Sequence, residues 1–231
     1  MVASKFSKSE AIKFGLDITK KNLKFFIVVS LIFFIISFLP NFILTLTEPG
    51  SLNVVLMVLL FSLLFLSLIV ELGFLKIALN FYDNEKSKIS DIFLTYPLFL
   101  KYLGGLILYS LIVLLGLILL VIPGIIWSIK FQFFPCFIVD KKIGPLEALK
   151  RSSKITRGSK WNLFLFGLLV MLINLAGTLF FIVGLLFTIP VTMLAYIFVY
   201  RKLLSQTDFI EQTKNSNYNK EVVYYEIFLY F

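Results

Sequence analysis

The chain has no histidine, one cysteine, and charged side chains on only 15% of its 231 residues. Without histidine, neither a Ser-His-Asp nor a Cys-His nucleophilic centre can be assembled. Cys136 alone cannot furnish a zinc site, and it has no partner for an intrachain disulfide. Asp83, Glu85 and Asp91 share one segment, but not at the spacing of a calcium loop, and lysines lie among them. Gly104-Gly105 lacks the lysine and hydroxyl that complete a phosphate-binding loop. The sequence therefore leads us to expect no metal, no cofactor and no enzymatic activity.

Apolar residues are what the chain has in abundance: they make up 59% of it, with mean hydropathy +0.96, against roughly 45–50% for a soluble domain. Windows near the 20 residues needed to cross about 30 Å of hydrocarbon recur along it. The expected fold is an all-α integral membrane domain over 1–204, with a tail at 205–231. Its six spans fall near 25–46, 54–75, 103–122, 124–139, 162–179 and 181–200. The first run is too long for a removable signal and lacks a cleavage site, so it is expected to stay as an anchor. Pro123-Gly124 marks a reversal between the third and fourth spans, and Gly177, Thr178 and Gly184 mark one between the fifth and sixth. The short fourth span is expected to tilt little, to bend at Pro135, or to gain shelter from its neighbours. The tail ends in VVYYEIFLYF, which suits either a short strand or a membrane-contacting segment.

Charge is distributed unevenly. Of 22 basic residues, 21 lie before span 1, between spans 2 and 3, between spans 4 and 5, or after span 6. A six-span topology puts all four segments on one side, while the opposite loops, including TLTEPGSLN at 45–53, carry none. The positive-inside rule then places both termini in the cytoplasm. The net charge of +9 reads as topology and attraction to anionic headgroups, and nucleic acid is not expected as a partner.

A decapeptide occurs twice: EAIKFGLDIT at 10–19 and EALKRSSKIT at 147–156, with five positions identical. On a helix, Glu10, Lys13, Asp17, Lys20, Lys21 and Lys24 share one face, and Ala11, Ile12, Gly15, Leu16 and Ile18 the other. The second copy sets Glu147, Lys150, Arg151, Lys154 and Arg157 against Ala148, Leu149, Ser152 and Ile155. Two amphipathic interfacial helices follow, near 8–23 and 145–158, each introducing a span. Their small residues suit close helix packing as well as lipid contact. Gly144-Pro145 and Gly158 bound the second copy. KISDIFLTYPLFLK at 88–101 is a weaker third candidate, giving three units of surface helix plus hairpin.

VIPGIIWSIKF at 121–131, FIVDKKIGPLEALKRSSKITRG at 137–158 and TIPVTMLAYIFVYRKL at 188–203 resemble the multi-pass bacterial proteins related to the membrane domain found beside some glycerophosphodiester phosphodiesterases. The resemblance covers about 8–204. It implies a six-span domain of the bacterial cytoplasmic (inner) membrane, without the phosphodiesterase chemistry, because the catalytic domain and its histidines are lacking.

Two sets of candidate site residues result. Lys150, Arg151, Lys154 and Arg157 suit binding of membrane lipids, chiefly anionic ones, or of a membrane-protein partner or second copy of the chain. Glu71 and Lys130, with Gln132 and Asn174, are polar groups inside spans, where charge is costly. Glu71 is expected about one turn from the basic end of span 2, and Lys130 about 9 Å from the opposite end of span 4. The leading expectation is a non-catalytic domain that organises lipids or a partner at the cytoplasmic face. The alternative is a transporter, channel or lipid-translocating protein using Glu71 and Lys130.

Overall fold

The computed structural model describes residues 6–47 and 53–229, with side chains as far as Phe209 except at 181 and 182. Residues 48–52 of the loop read as free of basic charge lie outside the described residues, as do the tail's side chains from 210 onward. The described chain is helical throughout, and six of its helical segments are long and apolar enough to span a membrane.

The first helix, α1 (Lys8–Lys21), starts where the Ser7 hydroxyl accepts the Glu10 N–H at 3.2 Å. It leads into the hairpin of α2 (Leu23–Leu46) and α3 (Val54–Tyr82), the latter capped by Asn53, whose side chain accepts from Leu56 N at 2.9 Å. Two 3₁₀ turns, Ile89–Ile92 and Tyr96–Leu98, then enter α4 (Phe99–Leu119), which pairs with α5 (Val121–Phe131) and its continuation α6 (Phe134–Lys141). The amphipathic α7 (Pro145–Ile155) introduces the hairpin of α8 (Lys160–Leu179) and α9 (Phe181–Leu229).

Several boundaries differ from the sequence reading, each for a local reason. The reversal after α4 falls at Leu120, whose backbone is extended. Pro123 sits instead in the first turn of α5, where an N–H would have no helical partner anyway. Gly124 serves close packing: a Cβ there would strike Leu117, and one on Gly116 would strike Trp127 and Gly124. The reversal after α8 is built similarly, since a Cβ on Gly184 would meet the Gly177 carbonyl. The fourth span does break, between α5 and α6, and Pro135 occupies the first turn of the second piece. The third amphipathic candidate is a pair of short 3₁₀ turns, because Ile92 is drawn into the core against Gly73. The tail continues α9 as helix to Leu229, so no strand forms there among the described residues.

The largest buried side chains, Tyr200, Phe26, Phe74, Phe133 and Phe137, come from the basic-side halves of the helices. Antiparallel pairing of α2 and α3 is marked there by Phe26 against Phe81 and Phe33 against Phe74. Toward the opposite side the same hairpin exposes its apolar residues, from Phe38 to Leu64, as suits lipid contact.

The surface segments dock in cyclic order. The turn Ile89–Ile92 packs on α3, α7 packs on α6, α4 and α5, and α1 packs on α9. Each thus touches the second span of another hairpin, α7 touching the first span of its hairpin as well. Glycine makes two of these docks possible: Gly73 admits the Ile92 backbone, and Gly15 admits the Val191 carbonyl. The small faces read from both decapeptides, including Ala11, Gly15, Ala148 and Ser152, are buried in protein.

Candidate functional site

Polar side chains from all three hairpins meet in one cavity of about 440 Å³. Glu71 of α3, Gln132 at the break between α5 and α6, and Thr192 of α9 each come from the second span of a hairpin; Tyr102 and Asn174 are added from first spans. Glu71 lies farther from the helix end than expected. After it α3 runs on for about three turns to Tyr82, because Lys76 and Asn80 continue the helix and the segment from Leu72 to Asn80 is largely buried.

The hydrogen bonds of the cavity are specific. The Tyr102 hydroxyl and the Glu71 carboxyl lie side by side in the lining. Asn174 Nδ2 donates to Thr192 Oγ1 at 3.4 Å, while the Thr192 hydroxyl reaches Thr188 O at 2.9 Å. The Tyr196 hydroxyl donates to Gln132 O at 2.5 Å and that of Tyr109 to Ser128 O at 3.4 Å, so both engage backbone at the broken span. Among the described residues, no lysine or arginine lines the cavity.

Beyond the cavity, at the basic-side ends of the second spans, Arg201 binds Asp140 through Nη1 at 2.9 Å and Nη2 at 3.0 Å and also pairs with Asp83. The Tyr200 hydroxyl donates to Asp140 at 2.9 Å. This cluster ties the ends of α3, α6 and α9 together.

A second site lies on the basic face. Lys130, Lys150, Lys154, Arg157 and Lys160 line a pocket of about 500 Å³ together with Ser153. Its geometry follows from the break in the fourth span. The Ser152 hydroxyl accepts the Phe133 N–H at 3.1 Å and donates to Lys130 O at 3.1 Å; the Thr156 hydroxyl donates to the same carbonyl at 3.0 Å. These hydroxyls satisfy backbone groups that the break frees, and they fasten α7 alongside the end of α5.

The structure thus regroups the candidate residues. Glu71, Gln132 and Asn174 share the cavity, whereas Lys130 joins the basic pocket with Lys150, Lys154 and Arg157. Lys130 does not stand near the far end of its span. The helix begins at Val121, which leaves it about 13 Å along, beside α7. Arg151 is outside the pocket lining and pairs with Glu147 at 2.6 Å across one helical turn. Sequence reasoning missed Tyr102, Thr192, Tyr196, Asp140 and Arg201. A signal existed for the ionic cluster, since Asp83, Asp140 and Arg201 each follow the apolar run of a second span.

Comparison with known proteins places these features. Residues 94–213 match the domain of unknown function DUF7847, which accounts for more than half of the chain. The chain belongs to this family. The DUF7847 segment contains the whole basic pocket and every polar lining group of the cavity named above except Glu71. An uncharacterized protein of Mycobacterium bovis is 32% identical over 142 residues, covering 62% of this chain and 43% of that protein. One of Mycobacterium tuberculosis is 31% identical over the same length and shares. A UPF0259 membrane protein of Pectobacterium carotovorum is 36% identical over 63 residues, 27% of this chain and 25% of its own. The chain spans less than half the length of these curated relatives. No solved structure matches it. The protein is a multi-pass membrane protein with bacterial homologues.

Proposed function

We propose that the protein is a non-catalytic component of the bacterial cytoplasmic membrane, with both ends in the cytoplasm, that gathers anionic lipid headgroups at its basic face. The observation that carries this reading is the convergence of Lys130, Lys150, Lys154, Arg157 and Lys160 on one pocket, with no acidic side chain in its lining among the described residues. Each basic residue near an anionic membrane surface contributes about 1 kcal/mol, and Arg157 can add bidentate hydrogen bonds to a phosphate. The likeness of 121–131, 137–158 and 188–203 to the membrane domain beside some glycerophosphodiester phosphodiesterases is in keeping with this role. Transport through a Glu71 and Lys130 pair lacks geometric support, because the two residues line different cavities.

The test is native mass spectrometry of the protein released from nanodiscs of phosphatidylcholine and phosphatidylglycerol. Lys150→Glu with Arg157→Glu should lower retained phosphatidylglycerol about tenfold or more, whereas Arg151→Glu, outside the pocket, should have a small effect. Equal retention by the wild type and the double variant would overturn the proposal. An equal loss from Arg151→Glu would point to diffuse surface charge. A retained protein partner or second copy in place of lipid would reassign the pocket.

A further inference from the structure

A carboxylate within a membrane-spanning helix is unfavourable by several kcal/mol unless something compensates it. Glu71 lies beside the Tyr102 hydroxyl in this cavity, and its side chain is accessible. Among the described residues the cavity has no basic side chain, and its walls include the rings of Tyr102, Phe134 and Tyr196 beside aliphatic groups such as Leu106 and Ile189. An acidic side chain and aromatic rings lining one cavity suit an organic cation: the carboxylate supplies charge, and the rings supply electron-rich walls. At about 440 Å³, the cavity lies within the range of small-molecule sites.

From this arrangement we infer that the cavity binds an organic ammonium group, with Glu71 as counter-ion and the ligand's hydrocarbon against Leu106 and Ile189. A bare metal ion suits the site less well, because it requires several oxygen ligands. The backbone oxygens of Gln132 and Ser128 at the helix break already accept from Tyr196 and Tyr109. The cavity also lies where the three hairpins converge, the position that membrane proteins with repeated units use for solute sites. The ammonium could belong to the headgroup of a lipid or to a free amine, and the two sources are separable.

The experiment uses the full chain in nanodiscs of phosphatidylglycerol, with or without phosphatidylethanolamine, and with hexylamine as the free-amine probe. Modification of Glu71 by dicyclohexylcarbodiimide, counted as N-acylurea plus any amide formed with the probe's amine, is followed by peptide mass spectrometry. The expected result is labelling slowed about tenfold by an ammonium ligand, the scale of a charged hydrogen bond. Protection by phosphatidylethanolamine assigns the site to a lipid headgroup. Protection by hexylamine alone assigns it to a free amine. Retention of the protecting ligand, measured by native mass spectrometry, should fall about tenfold in Glu71→Gln. An unchanged labelling rate with both probes in the wild-type protein would overturn the inference without depending on any variant's folding. Undiminished retention by a Glu71→Gln protein with wild-type helicity would overturn it as well.

Discussion

Arg201 clasps Asp140 with both terminal nitrogens across 61 residues of sequence, and the same guanidinium reaches Asp83. One cation therefore holds the second spans of all three hairpins together. The Arg201 and Asp140 side chains are 15% and 12% exposed, so solvent does little to screen them. Removing one partner of such a pair leaves the other uncompensated. Arg201→Ala should destabilise the protein by about 3–5 kcal/mol in SDS-titration unfolding. Asp83, at 36% exposure, should matter less: Asp83→Ala should lower stability by about 1 kcal/mol or less.

The glycines give a prediction with an internal control. Added methyl groups at Gly15 and Gly73 would meet backbone atoms of Val191 and Ile92, which cannot swing aside. Gly15→Ala and Gly73→Ala should each lower stability by about 1–3 kcal/mol. Gly167 has open space around its Cβ direction, so Gly167→Ala should be neutral or raise stability by about 0.5–1 kcal/mol. The three variants can be ranked by SDS titration, and Gly73→Ala behaving like Gly167→Ala would show that the Ile92 turn is not docked.

At the break in the fourth span, Ser152 and Thr156 both donate to Lys130 O, and Ser152 also accepts from Phe133 N. Ser152→Ala should cost about 1–3 kcal/mol, because it leaves a buried N–H unsatisfied. Thr156→Ala should cost less, since Ser152 still serves the shared carbonyl. The double variant should depart from additivity, as members of one hydrogen-bond network do. Hydrogen exchange should report the loss first at residues 131–134.

Orientation can be tested by labelling. Cys136 is buried and should not react with a membrane-impermeant maleimide, so the native protein gives a low background. Single cysteines at Lys86 and Leu120, both exposed and on opposite sides of the six spans, should label from opposite faces. Lys86→Cys should react in inverted vesicles and Leu120→Cys in intact spheroplasts. The reverse pattern would contradict cytoplasmic termini.

The spans were readable in the sequence because each depends on a local quantity, apolar length against bilayer thickness. The amphipathic faces of both decapeptides were readable too, since helical periodicity alone separates Lys150 and Arg157 from Ala148 and Ser152. Helix ends were less legible. Lys76 looks like the start of a loop, yet α3 continues past it because the residues around it are buried by other elements. The cavity was legible only in part. Glu71, Gln132 and Asn174 stand out as polar residues in apolar runs, but which of them meet depends on how hairpins far apart in sequence pack. Lys130 shows the same limit, because its place in the basic pocket is set by hydroxyls of α7 that bind its own carbonyl.

The docking of α1 on α9 has a consequence for how the protein is made. Helix α1 leaves the ribosome well before the residues around Val191 and Ala195 that receive Gly15, so this dock forms only once those have been synthesised. Until then its polar face keeps it at the membrane surface while Ala11, Gly15 and Thr19 await a backbone to cover them. Docking of α1 therefore waits for the α8–α9 hairpin, and a chain stopped before α9 would insert its earlier spans yet leave α1 without this dock.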